Sequence, residues 1–174
     1  MNDLDKIREY RDKEFDKLKS QNNFEGDEDG EIRLEPQRYN IMGADYFMSE
    51  MLEMLSGVMG TGATGIIRST GESYGDDLKE SLEFKSKGSE DFGRFLGLLK
   101  RLGYSEPQIN EGSIVVPSSP TAVEHRKTEY DEQKTCYFLA GILTSGAELL
   151  DQDITFSEIE CRANGDEKCV FEQD

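Results

Sequence analysis

The chain has 174 residues, with 20 Lys and Arg against 37 Asp and Glu, a formal net charge of −17 and a mean hydropathy of −0.69. That is one domain's worth of chain with a modest core, and its acidity argues against general binding to nucleic acid or to an anionic membrane, because neutralising phosphate takes clustered Lys and Arg. A cysteine count of 3, no leader-like start and no apolar run long enough to span a bilayer point to the reducing cytoplasm.

Leu4, Ile7, Tyr10, Phe15 and Leu18 fall on one stripe of a helix over residues 1–21 whose other faces are charged. The stripe is narrow, as in a helix that packs on a partner, so this helix is a candidate contributor to a homodimer. Residues 22–30 are polar and acidic and read as a flexible linker to the main domain, 31–174. Within the linker, Glu25, Asp27, Asp29, Gly30 and Ile32 imitate the first half of a calcium loop. The twelfth position is Pro36 where a bidentate Glu belongs, so a solvated acidic linker is the better account.

Over 44–59, Phe47, Met48, Met51, Leu52, Met54, Leu55 and Val58 leave little polar face, and a largely buried helix is expected. Every methionine after Met1 lies between Met42 and Met59, and flexible thioether chains re-pack around ligands of varied shape. An ordinary core helix that happens to use methionine gives the same pattern. Gly60, Gly62 and Gly65 then spell a dinucleotide fingerprint, but that motif needs a strand before it and a helix after it. Here a helix comes before, so a glycine-rich helix exit is expected.

Helices follow over 73–84 and over 89–102, the second capped by Ser89, with Phe92, Phe95, Leu96, Leu99 and Leu102 as its buried stripe and Gly103 as its stop. Pro107 bounds an extended segment, and 113–116 reads as a strand ended by Pro117 and Pro120. Residues 118–134 form a polar loop containing His125, Arg126 and Lys127. The sole His has no Ser, Cys or Asp partner in sequence and reads as a solvent-exposed residue.

The last quarter of the chain carries Cys136, Glu158, Cys161 and Cys169, three sulfurs and a carboxylate suited to a tetrahedral zinc site, with Glu160 as the rival carboxylate. Cys136 opens a helix with Leu139, Ala140, Leu143, Ala147 and Leu150 on one face. Over 153–161 a strand places Ile154, Phe156, Glu158 and Glu160 on one face and Thr155, Ser157, Ile159 and Cys161 on the other. Glu158 and Cys161 thus start on opposite faces, and a metal reaches both only where the pleat breaks. A turn over 163–166 returns Cys169 beside Cys161. Spacing alone leaves zinc, three buried reduced thiols and a Cys161–Cys169 disulfide all open.

The run from Cys136 through Gly141 to Leu143, followed by Glu158, Cys161, Gly165, Asp166, Cys169, Val170 and Phe171, resembles the C-terminal signature of the vinyl-4-reductase (4-vinyl reductase) domain family. A weaker likeness extends upstream through Tyr39, Gly71, Glu72, Ser73, Tyr74, Gly75, Gly93 and Gly103. The family is similar to the zinc-containing ligand-sensing domains of phenol-responsive activators and, more distantly, to the nitric-oxide-signalling and Golgi-transport folds.

The resemblance implies an α/β (α+β) domain, with an antiparallel sheet covered on one face by helices. It implies structural Zn2+ on Cys136, Glu158, Cys161 and Cys169, and pairing into a homodimer. It also turns the Met-rich helix into a candidate pocket wall, with Phe47, Met48, Met51, Met54, Phe95 and Leu99 around an apolar or aromatic ligand. A closed four-ligand shell leaves no water to activate, so no catalytic residue is expected. The sequence holds no ATPase or DNA-binding motif, and any signal is expected to pass to another protein. The alternatives are a reductase or accessory protein in tetrapyrrole (bacteriochlorophyll) synthesis, which no acid, base or redox motif supports, and a ligand-free assembly module.

Overall fold

The computed structural model describes residues 3–20, 32–34, 37–39, 44–81, 84, 87–101, 103–119, 122, 135–150 and 153–174. The 22–30 linker, its calcium-like acids and the His125 triplet lie outside these residues.

The elements in order are α1 (Asp3–Ser20), β1 (Ile32–Leu34), β2 (Gln37–Tyr39), α2 (Ala44–Met59), α3 (Gly62–Ser81), α4 (Ser89–Arg101), β3 (Gln108–Asn110), β4 (Ser113–Val116), α5 (Tyr137–Ala147), β5 (Phe156–Glu160) and β6 (Cys169–Gln173). Strands β1 and β2 form a hairpin, and the main sheet is antiparallel in the order β3-β4-β6-β5. Mixed helices and an antiparallel sheet are the expected fold class. In the β4–β6 ladder, Ile114 faces Phe171 and Val116 faces Cys169, and all four side chains join the core. Helices α4 and α5 close that core with Phe95, Leu96, Leu99, Leu139, Ile142 and Leu143, each fully buried.

Helix α3 corrects the sequence reading, which began it at Ser73. It starts at Gly62, directly after Gly60 leaves α2 in a left-handed turn (φ 58°). Ala63, Ile67, Gly71, Gly75 and Leu78 are buried at helical spacing, a stripe that becomes visible once glycine is counted as an inward position. Those glycines let α3 lie directly on α5. A Cβ at Gly71 would stand 2.1 Å from the Phe138 carbonyl oxygen, and one at Gly141 would stand 2.1 Å from that of Arg68. Polar groups fasten the same crossing: Ser145 donates to Asp76 at 2.7 Å, and Lys79 donates to the Ser145 carbonyl at 2.9 Å and to Glu148 at 2.6 Å.

Two further expectations change. Helix α2 is not largely buried: Leu52 is, but Met54 is 63% exposed and Val58 82%, because α2 packs chiefly on α3 at the edge of the bundle. Helix α1 docks within its own chain, on α4, where Gly93 meets the Ile7 backbone so closely that a Cβ would stand 2.4 Å from its carbonyl oxygen. Ile7 is buried there, whereas the side chains of Phe15 and Leu18 lie outside those described.

Candidate metal centre

Four polypeptide segments converge at one end of the sheet. Cys136 occupies the N-terminal cap of α5, and its backbone N–H donates to Glu158 Oε2 at 3.0 Å, so the carboxylate takes up a helix N-terminal amide that otherwise lacks a partner. Glu158 stands on β5. The β5–β6 register slips between Glu158 and Glu160, and this bulge inserts one residue that turns the strand. As a result Cys161 swings to the side Glu158 already faces, while Ile159 is 46% exposed and Glu160 points to solvent. Strict alternation would have kept the two ligands apart.

A short 3₁₀ turn, Arg162–Asn164, then reverses the chain. Gly165 closes it with φ 98°, and the Asp166 carboxylate accepts from the Cys161 N–H at 2.8 Å. The chain re-enters the sheet at Cys169, beside Val116.

The outcome is a compact donor set. Cys136, Glu158, Cys161 and Cys169 are all buried, and their ligand atoms lie within 4.8 Å of one another. The Cys136 and Cys169 sulfurs are 3.6 Å apart. Thiolates at about 2.3 Å from a tetrahedral zinc stand about 3.8 Å from each other, so the spacing suits that ion. Glu158 Oε1 is a buried oxygen without a hydrogen-bond partner, while its other oxygen is held by Cys136. A buried, unpartnered carboxylate oxygen beside three sulfurs fits a metal ligand, and Glu160 is not in the cluster.

Two hydroxyls that the sequence reading passed over as polar loop lie against the sulfurs. Buried Thr135 is 3.5 Å from Cys161 Sγ, and the Cys136 thiol lies 3.5 Å from Ser119 Oγ. Hydroxyls here orient the ligands and disperse thiolate charge. Their only sequence signal was proximity to Cys136.

Without a cation, four acidic groups cannot all ionise in so small a volume. Burial, then the charge at Cys161, pushes Glu158 up to about 8 from its ordinary 4.5. Hydrogen bonds from Cys136 and Cys169 hold Cys161 far below the usual thiol range. Cys136 is raised by its bonds to Cys161 and Cys169 and by burial; at Cys169 the bond with Cys136 pulls down, but Cys161 and burial outweigh it and carry the thiol to about 12.

The metal-free cluster therefore carries one negative charge at neutral pH, on Cys161. The unfolded chain carries one as well, on Glu158. The raised Glu158 loses stability as pH climbs from about 4.5 to about 8, and the depressed Cys161 gains it over the same window, so the two nearly cancel. Metal uptake is different, since all four ligands must lose their protons. Titration with zinc at pH 7, by calorimetry in buffers of differing ionisation heat, is expected to release about three protons per metal. Release of one or none would show that the thiols were already ionised.

A cavity of ≈ 370 Å³ lies toward the opposite end of the same strands. Phe92, Ile114, Ile154 and Phe156 form its apolar floor, Asn110, Ser113 and Gln173 its polar rim, and Leu4 and Ile7 of α1 its outer wall. The pocket expected behind the Met-rich helix is not assembled in this way. Met51 is half-buried and Met54 exposed on α2, Phe95 and Leu99 are fully buried under α4, and the side chains of Phe47 and Met48 lie outside those described.

Residues 121–173, which include all four candidate ligands, match the family model of the vinyl-4-reductase domain. The resemblance read from the C-terminal residues therefore holds. Among solved structures the chain is similar to the phenol-responsive sensory domain of the transcription activator PoxR, determined with phenol. That match has a TM-score of 0.67 and 19% identity, and covers 92% of this chain and 88% of that one. At this identity the likeness is one of fold. No curated protein matches the chain by sequence. No helix among the described residues is long and apolar enough to cross a membrane.

Proposed function

We propose that this chain is a small-molecule sensing module, held in shape by one zinc ion on Cys136, Glu158, Cys161 and Cys169, which binds an apolar or aromatic ligand. The cavity carries the reading. Its ≈ 370 Å³ lies within the range of small-molecule sites, and an apolar floor with a few polar rim groups is the usual composition of such sites. The fold it sits in is shared with a domain whose structure was determined with phenol.

Zinc bound here would supply structural cross-linking of α5, β5 and β6. The protein's own residues do the rest: Phe92, Ile114 and Phe156 exclude water and stack on the ligand, and Asn110, Ser113 and Gln173 orient its polar end. With acidity that disfavours DNA and anionic membrane, the occupied state would be read by another protein. We place the module in the cytoplasm as a homodimer. The exposed Met54, Val58 and Met59 of α2 and Ile66 of α3 are the apolar surface available for a second copy.

Native mass spectrometry of protein purified without added metal tests metal, ligand and dimer together, and a monomer or a metal-free chain would remove that part of the proposal. For the ligand, a screen of aromatics, fatty acids and tetrapyrroles should yield compounds that raise the melting temperature with concentration, because they bind only the folded state. Ser113→Phe, which fills the cavity from its rim, should abolish the shift and leave zinc content unchanged. A screen without any shift would favour an assembly module.

A further inference from the structure

The cavity depends on an element far from it in sequence. Leu4 and Ile7 complete its wall, and among the described side chains of α1 Ile7 is the one deeply buried, at 4% exposure, while Asp5, Lys6, Glu9, Asp12 and Lys13 face water. What fastens the helix otherwise is polar and lies along the outer edge of the sheet. Arg8 donates to the Ile109 carbonyl, and Arg11 donates to the Pro107 carbonyl at 2.5 Å and pairs with Glu106 at 3.3 Å. Strand β3 is the sheet edge, so these guanidiniums latch the helix to it.

Taking the cavity as the ligand site proposed above, we infer that α1 is its gate and its length-setting wall: Leu4 and Ile7 determine how long a ligand fits, and Arg8 and Arg11 hold the gate shut. The physical reason is the small size of the anchorage. A free helix of this length is marginal in water, and one buried isoleucine with two arginine latches holds it only modestly. A ligand that touches Leu4 and Ile7 adds apolar contact present only when the helix is docked, so occupancy and docking reinforce each other. Gly93 fits this role, since its missing side chain lets the helix sit low enough for Ile7 to reach the cavity.

The test uses the full-length, zinc-loaded chain with phenol and 2-naphthol as short and long probes. On binding 2-naphthol, amide exchange over residues 4–11 should slow together with that around Phe92 and Ile114. Arg8→Ala combined with Arg11→Ala should speed release of 2-naphthol by about tenfold or more, with zinc content unchanged, since loss of a latch acts on dissociation. Leu4→Phe should shift preference toward phenol by about fivefold, the effect of a methylene-sized clash in an apolar pocket. Leu4→Ala, a milder change, should shift it the other way and serves if the larger residue prevents folding. Probe binding that protects Phe92 and Ile114 but leaves residues 4–11, release rate and preference as in wild type overturns the gate while sparing the sensor reading. Failure of the wild-type chain to bind either probe overturns both.

Discussion

Replacing Cys161 with Ser should remove the bound zinc and lower the melting temperature by on the order of 10–20 °C, because binding of a structural metal is coupled to folding and each kcal/mol lost from a domain this size shifts the midpoint by about 2–4 °C. Cys169→Ser should behave alike, as both sulfurs belong to one buried cluster. Glu158→Gln gives the informative contrast. Its amide keeps an oxygen to accept from the Cys136 N–H, so α5 stays capped, but a neutral ligand binds zinc weakly. This variant should lose most zinc affinity while its metal-free form melts within a few degrees of metal-free wild type. Elemental analysis and calorimetry on all three variants check the set. Cysteine variants that keep the wild-type melting temperature without metal would remove zinc from the account.

The second large effect is expected far from the cysteines. Gly141→Ala adds a methyl 2.1 Å from the Arg68 carbonyl oxygen and 2.8 Å from the Glu72 nitrogen, and both are backbone atoms of a helix that cannot step aside alone. Alanine gains about 1 kcal/mol of helix propensity over glycine, whereas forcing packed helices apart costs about 1–3 kcal/mol or more. The steric term should win, and because the whole α3–α5 seam must open the variant should lose about 3 kcal/mol in denaturant unfolding. Gly71→Ala, which meets the Phe138 carbonyl oxygen at 2.1 Å, should match it. By contrast, an alanine at Gly65, where nothing lies within 4 Å, should stabilise slightly.

The parts legible in the sequence were those with a local cause. Ser89 to Gly103 gave α4 because a cap, an apolar stripe and a glycine stop agree, and Ser113 to Val116 gave β4 because prolines bound it. The candidate ligands were visible because three thiols and an acid fall in one segment, although bringing Glu158 and Cys161 to one side took a bulge that alternation does not announce. Three features escaped for tertiary reasons. The first turns of α3 look like a glycine loop until α5 is known to lie against them. Helix α2 looks like core because composition does not say which side faces a neighbour. The cavity joins Leu4 to Phe156, and no sequence window contains both.

The sheet has a working end and a fixed end. Val116 pairs with Cys169 at the cysteine end of the β4–β6 ladder, while Ser113, three residues away, lines the cavity, a separation of about 10 Å along the strand. Coordination tolerates only about 0.2 Å of drift in ligand distances. With the strands riveted at one end, they cannot spread at the other to admit a bulkier guest. The compliance must come from parts that no rivet touches: the edge strand β3 and the helix lying across it. Such a molecule behaves as a clip, stiff along its spine, whose jaw is the first segment of the chain.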